Sequence, residues 1–215
     1  MIVKTFTFNP FFENTYVLAD AETREAAVID PGMSNAQECQ AIAGWLQSEG
    51  MKVTKVLLTH CHVDHLMGTG FLHDQLGAVI CGPEDDQLRL PSAPLQAQLF
   101  GVPLSSVTSP IAVNINEGDT VTVGNEALKV FDVAGHSHHG LCYYLEKGKM
   151  LFTGDVLFCE SVGRSDFGPA MGGNHEQLIE GILCKLMSLP SDVKVFPGHG
   201  SQTTIGHEQN HNPFF

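Results

Sequence analysis

Cations are scarce in this 215-residue chain: 11 Lys and Arg stand against 24 Asp and Glu, a formal charge of −13. A phosphate backbone would meet a repulsive field, so the basic footprint that nucleic-acid binding needs is missing. No window approaches the roughly 18 uninterrupted apolar residues of a membrane-spanning helix. The opening MIVKTFTFNPFFENT has one lysine and no sustained apolar run of the signal-peptide kind. Neither nucleic acid nor membrane is therefore an expected partner, and a cytoplasmic location is expected. The six cysteines (Cys39, Cys61, Cys81, Cys142, Cys159 and Cys184) form no C-x-x-C pair. A chain of this length needs no disulfide staples, so buried free thiols are the simplest account. Low-complexity segments and Pro/Gly/Ser linkers are also lacking, which leaves one domain over residues 1–215 as the expectation. Nothing in the pattern sets an oligomeric state.

What is present is an ordinary apolar share of 43%, enough for a sizeable core. Short runs rich in Val, Ile, Leu and Phe read as strands: IVKTFTF, NTYVLAD, EAAVID, KVTKVLLT, AVIC, LKVFDV, LCYYLE, KMLFTG and VKVFP. Helix signals lie between them. Ser34 with Gln37 forms a capping box before Cys39, Ile42, Trp45 and Leu46 at helical spacing, with Gly50 ending the segment. Asn174 with Gln177 repeats the device before LIEGILCKLMSL, residues 69 to 77 read as a helix ending at Gly77, and 84 to 90 as a short one. The proline-bearing stretch from 88 to 106 reads as an irregular lid. Interleaved strands and helices, several strands being apolar throughout, give an α/β or α+β class with a central two-sheet core.

The stretch THCHVDHLMG, residues 59 to 68, holds three histidines and an aspartate within six positions. His60 and His62 follow a strand in extended backbone, where residues i and i+2 share a face, while Cys61 points the other way into packing. Asp64 and His65 come at once after them. A lone H-x-H beside a turn is more often a surface feature, but three more strand ends carry similar groups beside glycine. LKVFDVAGHS delivers His136, MLFTGD delivers Asp155 and VKVFPGHG delivers His199. Brought to one rim, His60, His62, Asp64, His65, His136, Asp155 and His199 form a set too large for one tetrahedral ion. Imidazoles with two carboxylates suit zinc or another borderline first-row ion, iron and manganese included, better than calcium or magnesium. With Asp155 shared, one ion takes His60, His62 and His136, and the other takes Asp64, His65 and His199.

T-H-x-H-x-D-H followed by G-H, T-G-D and P-G-H-G in that order resembles the metallo-β-lactamase fold. Within it the closest resemblance is to glyoxalase II-like hydrolases of the short, single-domain bacterial type. The likeness runs over nearly the whole chain, including FENTYVL, VIDPG, GRSDF and the tail TTIGHEQNHNPFF. It implies a four-layer αβ/βα sandwich with the metals at one rim and Asp155 in the bridging place. The longer glyoxalase II enzymes carry a C-terminal helical region that builds part of the glutathione pocket, whereas only sixteen residues follow His199 here.

The activity expected is hydrolysis of a thioester, such as a 2-hydroxyacyl thiol of the S-lactoylglutathione kind. Metal-bound water with a pKa near 7 would supply hydroxide, and two ions roughly 3.5–4 Å apart would hold nucleophile and oxyanion together. Asp64 and Asp155 are the catalytic candidates, Asp64 because it can orient the hydroxide by accepting its proton in a hydrogen bond. Two alternatives stand beside this reading. One is a mononuclear-iron persulfide dioxygenase using His60, His136 and Asp155 as a facial triad; the other is hydrolysis of another ester or lactone. Asp30 in VIDPG reads either as a brace on a metal-binding histidine or as a turn former. Arg164 reads either as a substrate contact or as a partner of Asp166. His73, His175, His207 and His211 lack a partner pattern and are assigned to structural or surface roles, His138 and His139 read as facing solvent or lining the rim, and Phe11 and Phe12 read as core, with contact to an apolar part of the substrate as the alternative. Tyr143 and Tyr144, adjacent in one strand, must face opposite ways.

Overall fold

The computed structural model describes residues 1–102, 104 and 108–215. The first half of the chain runs β1 (Ile2–Phe8), β2 (Glu13–Ala19), β3 (Glu25–Ile29), α1 (Ala36–Ser48), β4 (Lys52–Leu57), α2 (Val63–Leu66), α3 (Thr69–Leu76), β5 (Val79–Gly82), α4 (Glu84–Arg89), α5 (Ala93–Phe100) and β6 (Val113–Asn114). The second runs β7 (Thr120–Val123), β8 (Glu126–Asp132), β9 (Leu141–Leu145), β10 (Met150–Gly154), β11 (Leu157–Phe158), β12 (Ser161–Val162), α6 (His175–Gly181), β13 (Lys194–Pro197), β14 (Thr203–Thr204) and α7 (Ile205–His211). One six-stranded sheet has the order β1-β2-β3-β4-β5-β6 and the other β14-β13-β10-β9-β8-β7. In the first, β3, β4, β5 and β6 pair in parallel and β1, β2 and β3 antiparallel; in the second, only β10 and β13 pair in parallel.

The two-residue alternation of strands distributes the apolar side chains into layers. Tyr16, Leu18, Ile29 and Leu57 of the first sheet meet Leu128, Tyr143, Phe152 and Phe196 of the second, forming the inner core. The intervening residues face outward, where Val17, Val28 and Val56 pack under Ile42 and Leu46 of α1 and Leu72 of α3. On the other side Cys142, Tyr144, Leu151 and Val195 pack under Leu178 of α6, Ile182 and Ile205 of α7. The architecture is thus helix, sheet, sheet, helix. Tyr143 and Tyr144 fall in different cores, as their adjacency requires. Strand β2 is buried along its whole length, its apolar half Tyr16–Ala19 covered on both faces and its polar half Glu13–Thr15 lying under the tied end.

Several local details differ from the sequence reading. The cap of α1 is Asn35, whose side chain accepts from Glu38 N at 3.0 Å; Ser34 instead meets the Glu38 carboxylate, so the capping box sits one residue later than expected. Asn174 caps α6 by accepting from Gln177 N as anticipated. The 88–106 stretch is not an irregular lid throughout, since Ala93–Phe100 is helical with proline in its first turn, where a missing N–H does no harm. Pro103, Ser105 and Ser106 of that stretch lie outside the described residues. The short strands β6, β7, β11, β12 and β14 carry too few apolar residues to stand out from sequence. Of the six free cysteines only Cys61, Cys81 and Cys142 are buried. Among the described residues no helix is long and apolar enough to cross a membrane.

At one end of the sandwich the sheets are tied to each other. Tyr143 of the second sheet donates its hydroxyl to Leu58 O at 2.6 Å, just beyond β4, and Tyr16 of the first donates to Pro197 O at 2.7 Å, at the end of β13. Leu141 N donates to Thr59 O and Asn14 N to Gly198 O. Gly154, which precedes Asp155, adopts φ +49°, and a Cβ there would lie 2.2 Å from Thr59 Oγ1. Gly154→Ala is expected to lower stability by about 2 kcal/mol or more by displacing Thr59. Urea unfolding measures this, and an unchanged midpoint would contradict the close approach.

Candidate metal centre

All seven candidate ligands arrive at this tied end, each from the segment following a strand. His60 and His62 lie in extended backbone after β4. The chain then enters the single helical turn α2, which carries Asp64 and His65. His136 follows β8, Asp155 follows β10 and His199 follows β13. Two groups form within ligand distance: His60 with His62 and His136, and Asp64 with His65 and His199. In the first, His62 Nδ1 stands 3.1 Å from His60 Nε2 and 2.9 Å from His136 Nε2. In the second, Asp64 Oδ2 stands 3.6 Å from His65 Nε2 and 3.3 Å from His199 Nε2. Asp155 lies between them, with Oδ1 3.4 Å from His65 and Oδ2 3.5 Å from both His136 and His199. A Cβ on Gly198 would strike Asp155 Oδ1 at 2.3 Å, so the close approach of this backbone requires glycine.

The outer ring nitrogens fix the tautomers. Thr59 Oγ1 spends its hydrogen on Asp30 Oδ2 and so accepts from His60 Nδ1 at 3.0 Å. His65 Nδ1 donates to Asp30 Oδ2, His136 Nδ1 to Arg164 O and His199 Nδ1 to Phe11 O. Each of these four imidazoles therefore turns a bare Nε2 inward when neutral, the arrangement in which outer partners orient metal-binding histidines. Buried His65 Nε2 and Asp155 Oδ1 have no hydrogen-bond partner. Buried polar atoms are rarely left so, and a cation between them would satisfy both. The residues present fit divalent metal ions.

Charge in the metal-free site follows the same geometry. Burial, with neighbouring imidazoles, pushes His60 well below its ordinary value, and burial takes His62 down to about 3. His136 is lowered chiefly by burial. Burial also opposes the charged form of His65, yet Asp155, Asp64 and Asp30 raise it well above the usual histidine range. Burial would raise Asp155 and Asp64, but the surrounding imidazoles, His65 first and then His199, together outweigh it and keep both carboxyls low. One group of histidines is thus ready as neutral ligands, and the other holds a proton where an ion would displace it.

Asp30 is a brace, since it takes Thr59 N and Thr59 Oγ1 at 2.7 Å as well as His65. Arg164 pairs with Asp166 at 3.0 and 3.1 Å and stacks over Phe167. His139 bonds Asp132, His138 reaches Ala170 O, His175 meets Ser165, His73 bonds Ala78 O, and His207 pairs with Glu160 and stacks on His211. None of these six joins the site. Phe11 and Phe12 are not in the core: Phe11 lines the cavity over the ligands, and Phe12 is 73% exposed.

Sequence reasoning missed three supporting residues. Asp86, fully buried, accepts from Cys61 N at 2.7 Å and from Ser137 Oγ at 2.6 Å, tying the loop between His60 and His62 to the residue beside His136. Gln96 of α5 donates to Cys61 O and accepts from Val63 N. Glu13 lies fully buried beneath the site, bonded to Thr15 through one oxygen while the other has no partner. Asp86 sits in an acidic EDDQ run that reads as a solvated helix face, and nothing in FENTY marks Glu13 as buried beside Thr15, Asp30 and His65.

A model of the metallo-beta-lactamase superfamily matches residues 8–199. The chain belongs to the metallo-beta-lactamase superfamily. It is 33% identical to hydroxyacylglutathione hydrolase GloC of Haemophilus influenzae over 215 residues, covering 100% of this chain and 98% of that protein. Among solved structures, the BLEG-1 B3 metallo-beta-lactamase superposes with a TM-score of 0.88 at 32% identity, over 99% of each chain. The di-iron-bound form of TTHA1623 superposes with a TM-score of 0.84 at 31% identity, over 100% of each. Membership in this superfamily, with the two His/Asp clusters, makes the chain a metallo-hydrolase that binds divalent metal.

Asp86→Ala is expected to destabilise the fold by about 3 kcal/mol, because it leaves buried Cys61 N and Ser137 Oγ unpaired. It should also weaken metal retention in a chelator competition; wild-type retention would contradict the bracing role. Burial raises the Glu13 carboxyl well above its ordinary value, helped by Asp30 and Asp64, although His65 opposes. A folded-state pKa above the unfolded one means the folded state holds more protons, so this group's stability contribution is full below about pH 4.5 and falls as pH rises. The stability difference between Glu13→Gln and wild type should therefore move in favour of the variant between pH 4.5 and 8 in urea titrations. Parallel profiles would contradict a protonated Glu13.

Proposed function

We propose that the chain hydrolyses thioesters, with a 2-hydroxyacyl thiol as the substrate class, using two divalent ions, zinc being the first choice. The observation that carries the reading is Asp155. Its Oδ1 reaches His65 of one group, and its Oδ2 lies 3.5 Å from both His136 of the other group and His199, so a single carboxylate stands between two ligand sets. His60, His62 and His136 would hold one ion, and Asp64, His65 and His199 the other. When bound, such ions lower the pKa of water to about 7 and polarise a carbonyl oxygen.

The chain's own side chains do the rest. Asp64, Asp155 and His199 are the half-open members of the set and face the cavity, which the buried His62 and His136 also line, while His60 and His65 lie deeper. Asp64, kept ionised by His65 and by the hydrogen bond to His199 against the effect of burial, can accept a proton at Oδ2. Asp30, Thr59, Arg164 O and Phe11 O keep the imidazoles from rotating, so little reorganisation is left for the reacting state. A thiolate leaves readily and asks for no strong general acid, which suits a cavity whose lining histidines His62 and His136 are lowered by burial. The similarity to GloC over the full chain supports a thioester of the hydroxyacyl type.

A mononuclear-iron persulfide dioxygenase would use His60, His136 and Asp155, and the di-iron-bound neighbour shows that the superfamily accepts iron. Hydrolysis is favoured because the second ligand group is as fully assembled as the first. Elemental analysis of the purified protein, with rates on thioester, lactone and persulfide substrates, tests the choice. About two divalent ions per chain, thioester turnover and its loss on chelation are expected. Asp155→Ala should lower kcat by about a thousandfold or more, since both ion sites lose a ligand. One iron per chain with oxygen uptake on persulfide would overturn the reading.

A further inference from the structure

The cavity above the two ligand groups encloses about 340 Å³, near the small end for a ligand pocket. Its walls are aromatic on both flanks. On the side of His62 and His136, the Phe167 ring stands 5.6 and 5.7 Å from the two imidazoles. On the side of His199, the Phe158 ring stands 6.2 Å away, and Phe100, delivered by the last residue of α5, closes edge-on against Phe11 at 6.1 Å. A carbonyl placed over Asp155 would therefore have Phe158 and Phe100 on one side and Phe167, with Arg164 stacked on it, on the other.

Among the described residues lining this cavity, Arg164 is the only Lys or Arg. Its guanidinium is already engaged, in two hydrogen bonds to Asp166 and in a stack 4.5 Å over Phe167. Glutathione carries two carboxylates, and they would approach a rim with no unengaged cation on a chain of net charge −13. We propose that the preferred substrates are thioesters with an aromatic or branched apolar acyl group on the Phe100 flank and an uncharged thiol on the Phe167 flank, where the Arg164–Asp166 pair excludes anionic thiols. This rests on the thioesterase reading above and names its substrate class.

The test compares S-mandeloyl-N-acetylcysteamine with S-lactoylglutathione on the full-length, metal-loaded protein. At least a tenfold higher kcat/KM is expected for the mandeloyl thioester. Phe100→Ala and Phe167→Ala, each checked for wild-type metal content and circular dichroism, should raise KM for that substrate about tenfold and lower the mandeloyl-to-lactoylglutathione preference ratio. Asp166→Asn, by releasing Arg164, should raise kcat/KM for lactoylglutathione roughly two- to fivefold, the scale of an exposed ion pair. A preference ratio of one or less that persists in Phe100→Ala overturns this inference and leaves the thioesterase reading standing. No hydrolysis of either thioester by protein with its full metal complement overturns both.

Discussion

Four cross-sheet hydrogen bonds at one end of the sandwich set the geometry on which the centre depends. Tyr143 to Leu58 O and Leu141 N to Thr59 O fix the start of the histidine loop against the second sheet. Tyr16 to Pro197 O and Asn14 N to Gly198 O fix the approach to His199 against the first. All four acceptors are backbone carbonyls at or just beyond a strand end, where the ladder runs out of partners. They make the two halves of the ligand set one rigid rim instead of two sliding edges.

That rim carries a large electrostatic load. Five buried or half-buried imidazoles and two carboxylates lie within contact of one another, and in the metal-free chain the tension is held by a charged His65 among three aspartates. His65, the other imidazoles and Asp155 would hold divalent cations there, whose positive charge would offset the carboxylates in place of the proton on His65. The orienting groups behind the ligands matter as much as the ligands. Asp30 and Asp86 are each buried and each bind two or more groups, so each holds a piece of loop whose backbone would otherwise be free to turn the imidazoles away.

Much of this was legible in the sequence. Apolar runs of period two or of continuous burial located nine of the fourteen strands, because a long buried strand has no choice of residue. Four strand ends bearing His or Asp beside glycine picked out the seven side chains that the fold brings together. What escaped was whatever depends on distant partners. Asp86 and Gln96 read as surface and lid residues because their function lies in contacts to Cys61, far away in sequence. Two-residue strands such as β11 are too short for a pattern. Phe11 looked like core since aromatic residues usually are, yet it stands over the ligands. The alternatives for Asp30 and Arg164 could be separated only by coordinates, since each had an equally sound local partner.

The most direct measurement is anomalous diffraction from crystals of the metal-loaded protein. Two anomalous peaks roughly 3.5–4 Å apart, astride the Asp155 carboxylate with His62 on one side and Asp64 on the other, are the predicted result. A single peak, or two peaks neither of which Asp155 touches, would contradict a shared-carboxylate dinuclear centre.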